Sequence, residues 1–126
     1  MNTRFSLTTL ALLLAGLSQT DPTYAAEGGL TTTVARTLVT DPNVYGGCMA
    51  ELDTALSSAV PAVNCGTSGW VSFSCSGAYV SKDLAFYMLD QAQLALSLNR
   101  KVYVSVDDTK KHNGYCFAKR IDVFKY

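Results

Sequence analysis

The sequence predicts a small, mostly β domain of the α+β class, with five strands, one helix and two disulfides. Three observations lead to this prediction. Several segments alternate apolar and polar residues, as half-buried strands do, and one segment has helical periodicity. The 126-residue chain contains four cysteines, an even number. An apolar run near the N-terminus is typical of export to an oxidising compartment, where disulfides form.

Residues 1–25 are expected to be a signal peptide. Arg4 gives a short basic region, Phe5 to Leu17 is mostly apolar, and Thr23-Tyr24-Ala25 places small residues at the positions that a signal peptidase reads. The apolar run is shorter than the ~20 residues that a membrane-spanning helix needs. We therefore expect one domain over residues 26–126, a periplasmic or secreted location, and no membrane attachment after cleavage. An uncleaved anchor helix is the alternative.

The four cysteines, Cys48, Cys65, Cys75 and Cys116, are expected to form two disulfides. Small exported domains bury a limited core, so cross-links add needed stability. No two of these cysteines have the C-x-x-C spacing of many zinc sites, and the chain has one histidine. We therefore predict no metal and no cofactor.

Two alternating segments, residues 48–56 and 70–75, predict an antiparallel hairpin. A helix is the alternative for residues 48–56, because Met, Ala, Glu and Leu favour helices. A register that keeps the apolar residues on one face opposes three pairs: Leu52 to Val71, Ala50 to Phe73, and Cys48 to Cys75. Opposed Cα atoms lie about 4.5–5.5 Å apart, which is close to disulfide reach. This register predicts a Cys48–Cys75 disulfide and leaves Cys65 to pair with Cys116.

Helical periodicity extends from Ser81 to Leu98. Ser81 is a suitable N-cap, and Asn99 can end the helix in a left-handed conformation. The apolar positions are numerous enough to predict a well-buried helix: Leu84, Ala85, Phe86, Met88, Leu89, Ala92, Ala95 and Leu96.

Further strands are predicted over residues 31–39, 101–106 and 115–126, with residues 27–29 as a loose terminus and 107–114 as a polar connection. Lys119 shares a face with apolar residues of the last strand, which predicts either a bulge or the end of the strand near residue 119. The order β-β-β-α-β-β is that of the OB-fold, a small Greek-key barrel. A five-stranded sheet with one helix packed on it, or another small α+β barrel, is the alternative.

In the order of its predicted strands and helix, the chain resembles the B subunits of secreted bacterial toxins of the Shiga, cholera and subtilase type. The resemblance rests on the signal peptide, the size of the mature chain, the disulfides, and the helix–strand–turn–strand segment from Ser81 through residues 101–106 to Tyr115-Cys116-Phe117. It implies an OB-fold, a pentameric ring and glycan binding. No motif of that family maps onto these positions, so no binding residue is carried over. The chain also resembles small exported proteins of Gram-negative bacteria.

The side chains favour a non-catalytic binding module over an enzyme. No serine or cysteine motif is paired with a base, and ten basic residues balance ten acidic ones, which argues against nucleic-acid binding. Candidate binding residues are the aromatics near predicted strand ends and the polar residues of the 107–114 loop: Tyr45, Trp70, Tyr79, Asp107, Asp108, His112 and Asn113. The structural alternatives are rim packing for the aromatics, with Trp70 closing a barrel end, and a solvated turn for His112.

Two functional classes remain open from the sequence. The first is an exported module that recognises a glycan or protein on a cell surface and that can act either alone or as a homo-oligomer. The second is a monomeric periplasmic accessory or inhibitor protein. Neither class requires a catalytic residue.

We expect the exported protein to begin at Ala26 or Glu27, because the signal-peptide pattern ends at Ala25 or Ala26. Amino-terminal sequencing of protein collected from the periplasm or the medium measures this directly. A chain in those fractions that still begins with Met1 would contradict the expected cleavage and indicate an anchor helix.

Overall fold

The computed structural model describes residues 27–126, so the expected signal peptide lies outside the described residues. Five strands and two helices follow one another along the chain: β1 (Glu27–Val39), β2 (Cys48–Leu52), α1 (Leu56–Ala59), β3 (Trp70–Ser72), α2 (Lys82–Ser97), β4 (Lys101–His112) and β5 (Tyr115–Val123). The four-residue helix α1 is an element that the sequence did not predict. Within residues 27–126, no helix is long and apolar enough to span a membrane.

The five strands form a closed barrel in the order β1-β2-β3-β5-β4. Strand β1 pairs with both β2 and β4, which closes the barrel, and the pairing of β3 with β5 is parallel while the others are antiparallel. Helix α2 lies between the third and fourth strands in the sequence. The predicted five-stranded, OB-like barrel is therefore confirmed.

Strands β1 and β4 are longer than predicted. Glu27 pairs with Asp107 and Gly29 with Ser105, so residues 27–29 belong to the sheet and are not a loose terminus. Strand β4 continues to His112. Asp107 pairs with Phe117 of β5, a three-residue bulge follows, and pairing with β5 resumes at Lys111. Polar residues and a bulge break the alternating pattern, and the predicted 107–114 connection is consequently wrong.

A second irregularity, in β5, was predicted correctly. Ser105 pairs with Arg120 while Val106 pairs with Ala118, so Lys119 has no partner on β4 and forms a bulge. A bulge adds one residue to a strand and reverses the alternation beyond it. Lys119 can therefore follow apolar neighbours on the same apparent face without being buried.

The hairpin of β2 and β3 is shifted by two residues from the predicted register. Met49 pairs with Ser72 and Ala50 with Val71. Since side chains alternate with a period of two, this shift leaves every residue on its predicted face. The residues that were predicted to face the core are all buried: Cys48, Ala50, Leu52, Val71, Phe73 and Cys75.

Both predicted disulfides are confirmed despite the register shift. Ser74 follows β3 with a left-handed φ of 62°, and the turn that it makes brings Cys75 back to Cys48, with a Cα–Cα distance of 5.6 Å. Cys65 and Cys116 form the other disulfide, at a Cα–Cα distance of 5.2 Å. These disulfides indicate an oxidising, extracytoplasmic environment.

Helix α2 has the predicted ends but a narrower buried face. Ser81 Oγ accepts a hydrogen bond from Leu84 N at 3.4 Å, and Asn99 has a left-handed φ of 50°. The buried residues are Ala85, Met88, Leu89, Ala92 and Ala95. Three of these five are alanines, so the barrel covers only one narrow stripe of the helix. Leu84, Phe86 and Leu96, which were predicted to be buried, are 47%, 46% and 37% exposed.

We expect Phe73→Ala to lower the free energy of unfolding by about 3–5 kcal/mol, because Phe73 is fully buried in the barrel and its truncation leaves a cavity. Phe124→Ala is the matched control: Phe124 is 40% exposed, and its loss should cost less than about 1 kcal/mol. Denaturant titration of the oxidised proteins measures both values. Equal losses would contradict the placement of Phe73 in the core.

Candidate functional site

A pocket of about 190 Å³ lies on the outer face of the barrel. Met49 and Trp70 point into it from β2 and β3, at positions that alternate with the core residues Ala50 and Val71. The complete lining is formed by the end of β1, the β1–β2 loop, β2, β3 and the start of β5, through Leu38, Tyr45, Met49, Trp70 and Tyr115. Three of the five lining residues are aromatic, and none is charged.

The β1–β2 loop positions Tyr45 as one wall. Tyr45, Gly46 and Gly47 are three consecutive residues with positive φ, at 54°, 77° and 89°. A Cβ atom on Gly46 would lie 2.5 Å from His112 Cδ2, so this position requires glycine for space as well as for conformation. The Tyr45 ring meets the Tyr115 ring edge-to-face at a centroid distance of 5.5 Å. That contact joins the loop to β5.

Trp70 forms another wall and is held from outside by a cation. The Arg36 guanidinium lies 4.8 Å from the Trp70 ring centroid, and Arg36 also forms an ion pair with Glu51, its partner across β1 and β2. The rim beside Trp70 is therefore polar and carries no net charge. Trp70 does not close an end of the barrel, because it lies on the outward face of β3.

Two buried hydroxyl groups, those of Ser72 and Ser74, lie behind the Tyr45 wall; we call them the serine bridge. Ser72 Oγ donates to Tyr45 O at 2.7 Å and accepts from Ser74 N at 3.2 Å. Ser74 Oγ accepts from Tyr79 N at 3.1 Å and lies 2.9 Å from His112 Nε2. The serine bridge thus connects the β1–β2 loop, the segment before α2, and β4.

His112 belongs to this buried network and is not part of a solvated turn. Its ring centroid lies 4.7 Å from that of Tyr79, and the side chain is partly buried. Desolvation lowers the pKa of His112 below its ordinary value, so the imidazole is neutral at pH 7. No local sequence pattern indicates this packing, because Tyr79 and Ser74 lie more than thirty residues away along the chain.

Tyr79 lies outside the pocket. Its hydroxyl donates to Lys111 O at 2.7 Å, and its ring lies 5.7 Å from that of Phe117. The side chain therefore attaches the segment before α2 to β4 and β5. These contacts give Tyr79 a structural role in the barrel.

The polar candidates on β4 also make structural contacts. Asp107 is buried in the bulge, and its Oδ1 accepts hydrogen bonds from Thr109 N at 2.9 Å and Thr109 Oγ1 at 2.5 Å. The Thr109 hydroxyl holds the pKa of Asp107 below its usual range. Asp108 Oδ2 accepts from Asn64 N at 3.0 Å, and Asn113 has a left-handed φ of 52° in the β4–β5 turn. In residues 27–126, no three metal-ligating side chains are grouped to hold a metal ion.

The structure brings together two of the seven candidates, Tyr45 and Trp70, in one pocket. Sequence reasoning missed the other lining residues, Leu38, Met49 and Tyr115. A signal for two of them was present. Met49 is a large apolar residue at an outward position of a strand, and Leu38 lies opposite it across β1 and β2. An outward apolar pair of this kind indicates a second packed surface outside the core.

No family model, curated protein or solved structure matches this chain. The chemistry of the pocket is therefore the basis for a functional assignment. The aromatic rings offer flat apolar faces, and the tyrosine hydroxyl groups can donate and accept hydrogen bonds. Such a pocket suits a small, uncharged ligand that has both apolar and hydroxyl-bearing surfaces.

We expect the free energy of unfolding to fall as the pH is lowered from about 6.5, the ordinary pKa of histidine. Above that pH the His112 ring is neutral in both states. Below it, the unfolded chain takes up a proton that the desolvated ring resists, so stability decreases until the pH passes the lowered pKa of the folded state. Denaturant titrations between pH 5 and pH 7 measure this slope, which for one proton is at most about 1.4 kcal/mol per pH unit.

His112→Gln is the control, because glutamine keeps a hydrogen-bonding group near Ser74 and does not titrate. The chain has one histidine, so this substitution should remove the slope between pH 5 and pH 6.5. The lowered pKa of Asp107 contributes a separate loss at pH values below its ordinary value of 3.8. A slope that is unchanged in His112→Gln would contradict the assignment to this ring.

Proposed function

We propose that this chain is an exported, non-catalytic binding module whose pocket takes one sugar ring of a glycan. One observation carries the proposal. The pocket is formed by β2, β3, the β1–β2 loop and the residue that follows the β4–β5 turn. OB-folds bind oligosaccharides and oligonucleotides on the face of their second and third strands and at these two loops.

The lining favours a sugar among the ligands that such a face accepts. A pyranose ring has apolar C–H faces that stack on aromatic side chains, and the hydroxyl groups at its edge can bond to Tyr45, Tyr115 and the Arg36–Glu51 pair at the rim. At about 190 Å³ the pocket is smaller than the ~300–1,000 Å³ of sites for drug-sized ligands. This size supports recognition of a single ring at the end of a glycan.

Charge argues against an oligonucleotide as the ligand. Proteins that bind single strands combine stacking aromatics with a positively charged groove. Here the cation beside Trp70, Arg36, is paired with Glu51, and the whole chain carries a formal net charge of zero. A neutral pocket without free cations gives no attraction for phosphates.

The buried Ser74–His112 contact supports a non-catalytic role. A serine next to a histidine can act as a nucleophile, but Ser74 is completely buried, and its hydroxyl oxygen already accepts from Tyr79 N. A substrate cannot reach this oxygen without opening the barrel. The pair is better explained as the support of the Tyr45 wall.

Two disulfides and the expected signal peptide support export, to the periplasm or to the medium. An extracytoplasmic module with a small glycan pocket is suited to recognising carbohydrates on a cell surface. The alternative function, a monomeric periplasmic accessory or inhibitor protein, would place a protein side chain in the same pocket.

We expect the oxidised, processed protein to bind glycans on an array that presents terminal sugars of different kinds. Isothermal titration calorimetry with the best-bound sugar should then show that Trp70→Ala weakens binding about tenfold or more, a loss of at least ~1.4 kcal/mol, because a stacking face is removed. Tyr103→Ala is the matched control. Tyr103 also carries a guanidinium over its ring, that of Arg120 at 5.5 Å, but does not line the pocket.

The control variant should bind as the wild type does. Thermal melts of both variants separate a loss of the pocket from a loss of the fold. Equal affinities of Trp70→Ala and wild type for the sugar would contradict the proposed site. An array without any bound glycan, obtained with folded protein, would contradict the ligand class and favour the accessory or inhibitor function.

A further inference from the structure

We propose that helix α2 joins two copies of this chain in an antiparallel, two-fold dimer. The contact is the α2 stripe, which we define as Leu84, Tyr87, Gln91 and Leu94 of the helix together with its C-cap residue, Leu98. Its four apolar members are 47%, 65%, 46% and 55% exposed. The stripe covers about 80° of the helix circumference, directly beside the face that packs on the barrel.

The spacing of the α2 stripe is that of a helix–helix seam. Its members follow one another at steps of three, four, three and four residues, the a/d pattern of a coiled coil. The spacing is also nearly symmetric about Gln91. In an antiparallel copy related by a two-fold axis at Gln91, Leu84 lies opposite Leu98 and Tyr87 opposite Leu94. One surface thus matches itself, as a two-fold interface requires.

Gln91 identifies a second copy as the occupant. A polar amide in the middle of an apolar contact is unfavourable unless it is hydrogen-bonded. The glutamine side chain both donates and accepts, so two Gln91 amides that meet on the axis can satisfy each other. An unrelated apolar surface would leave the amide without a partner. A polar group at a single a position also fixes register in coiled coils.

Charge favours the antiparallel orientation. It places Asp83, in the first turn of α2, near Arg100 and Lys101, which follow the end of the partner's helix, and it opposes the two helix dipoles. In a parallel pair, Asp83 of one chain would lie near Asp83 of the other, and Lys101 near Lys101, so that like charges would face each other. In the antiparallel pair, Asp90 of one chain approaches Asp90 of the other beside the two-fold axis. Exposed charges of this kind change stability by less than about 1 kcal/mol.

A membrane surface fits the α2 stripe poorly. Helices that lie on membranes carry lysine and arginine on their polar face. The charged residues of α2 are Asp83 and Asp90 against the single cation Lys82, and no basic residue lies in its last turn.

The size of the α2 stripe predicts a weak dimer. Four large side chains that are about half exposed supply roughly 400 Å² per copy, about half of what a stable interface buries on each partner. Association should therefore depend on concentration in the micromolar to millimolar range. The contact is independent of the pocket, so its failure would leave the proposed glycan site unaffected.

Sedimentation velocity tests the dimer with protein purified after export. We expect the average mass to rise toward twice that of the monomer between about 10 µM and 1 mM. Leu94→Glu should stay monomeric throughout this range. Phe86→Glu is the matched control, because Phe86 is also 46% exposed but lies on the opposite flank of α2, and it should associate as the wild type does. Circular dichroism confirms that each variant is folded.

A cross-linking pair decides the question if Leu94→Glu does not fold. Gln91→Cys should form a disulfide between copies under mild oxidation, whereas Gln93→Cys, an exposed glutamine two residues away and off the stripe, should not. Non-reducing gels and mass spectrometry measure both products. A wild-type monomer at 1 mM, a larger ring in place of a dimer, equal losses in the two glutamate variants, or equal cross-linking of the two cysteine variants would each overturn the proposal.

Discussion

The serine bridge is the interaction on which the pocket depends. Ser72 and Ser74 are fully buried, and their hydroxyl groups contact the Tyr45 carbonyl, the Tyr79 amide and the His112 ring. These three groups belong to three separate segments of the chain: the β1–β2 loop, the segment before α2, and β4. Buried hydroxyls that are completely satisfied define one arrangement, because any other leaves polar atoms without partners. The nearby disulfide at Cys75 fixes the same turn covalently, so the Tyr45 wall is held from two directions.

The parts of the fold that depend on local chemistry could be predicted from the sequence. Ser81 and Asn99 mark the ends of α2 through hydrogen bonding and backbone preference, which involve only neighbouring residues. The Cys48–Cys75 disulfide was predicted correctly although the register was wrong, because a shift of two residues leaves every side chain on the same face of the sheet. The extent of β4 could not be predicted, since its bulge depends on Asp107 accepting from Thr109 while remaining paired with β5. The width of the buried face of α2 could not be predicted either, because it depends on the distance between the helix and the barrel.

The candidate site was only partly accessible to sequence reasoning for a similar reason. Tyr45 and Trp70 were selected by residue type and position, which local patterns reveal. The third aromatic wall, Tyr115, enters the pocket because closure of the barrel places β5 beside β3, and no local pattern encodes that pairing. His112 was misinterpreted because its desolvation comes from Tyr79 and from the glycine at position 46, both distant in sequence. Contacts between remote segments determined each of these outcomes.

The barrel leaves apolar residues on its outside in two places that differ in shape and chemistry. The pocket is concave and aromatic, and two of its lining residues are tyrosines that carry hydroxyl groups, so it can enclose a small ligand that needs both stacking and hydrogen bonds. The α2 stripe is convex, mostly aliphatic and interrupted by one amide, so it can only lie against another elongated surface. Small domains cannot bury all of their apolar residues, but scattered exposure would not arrange them in two ordered sets. The shapes of the two surfaces therefore match the two roles that we propose: ligand recognition for the pocket, and contact between protein chains for the helix.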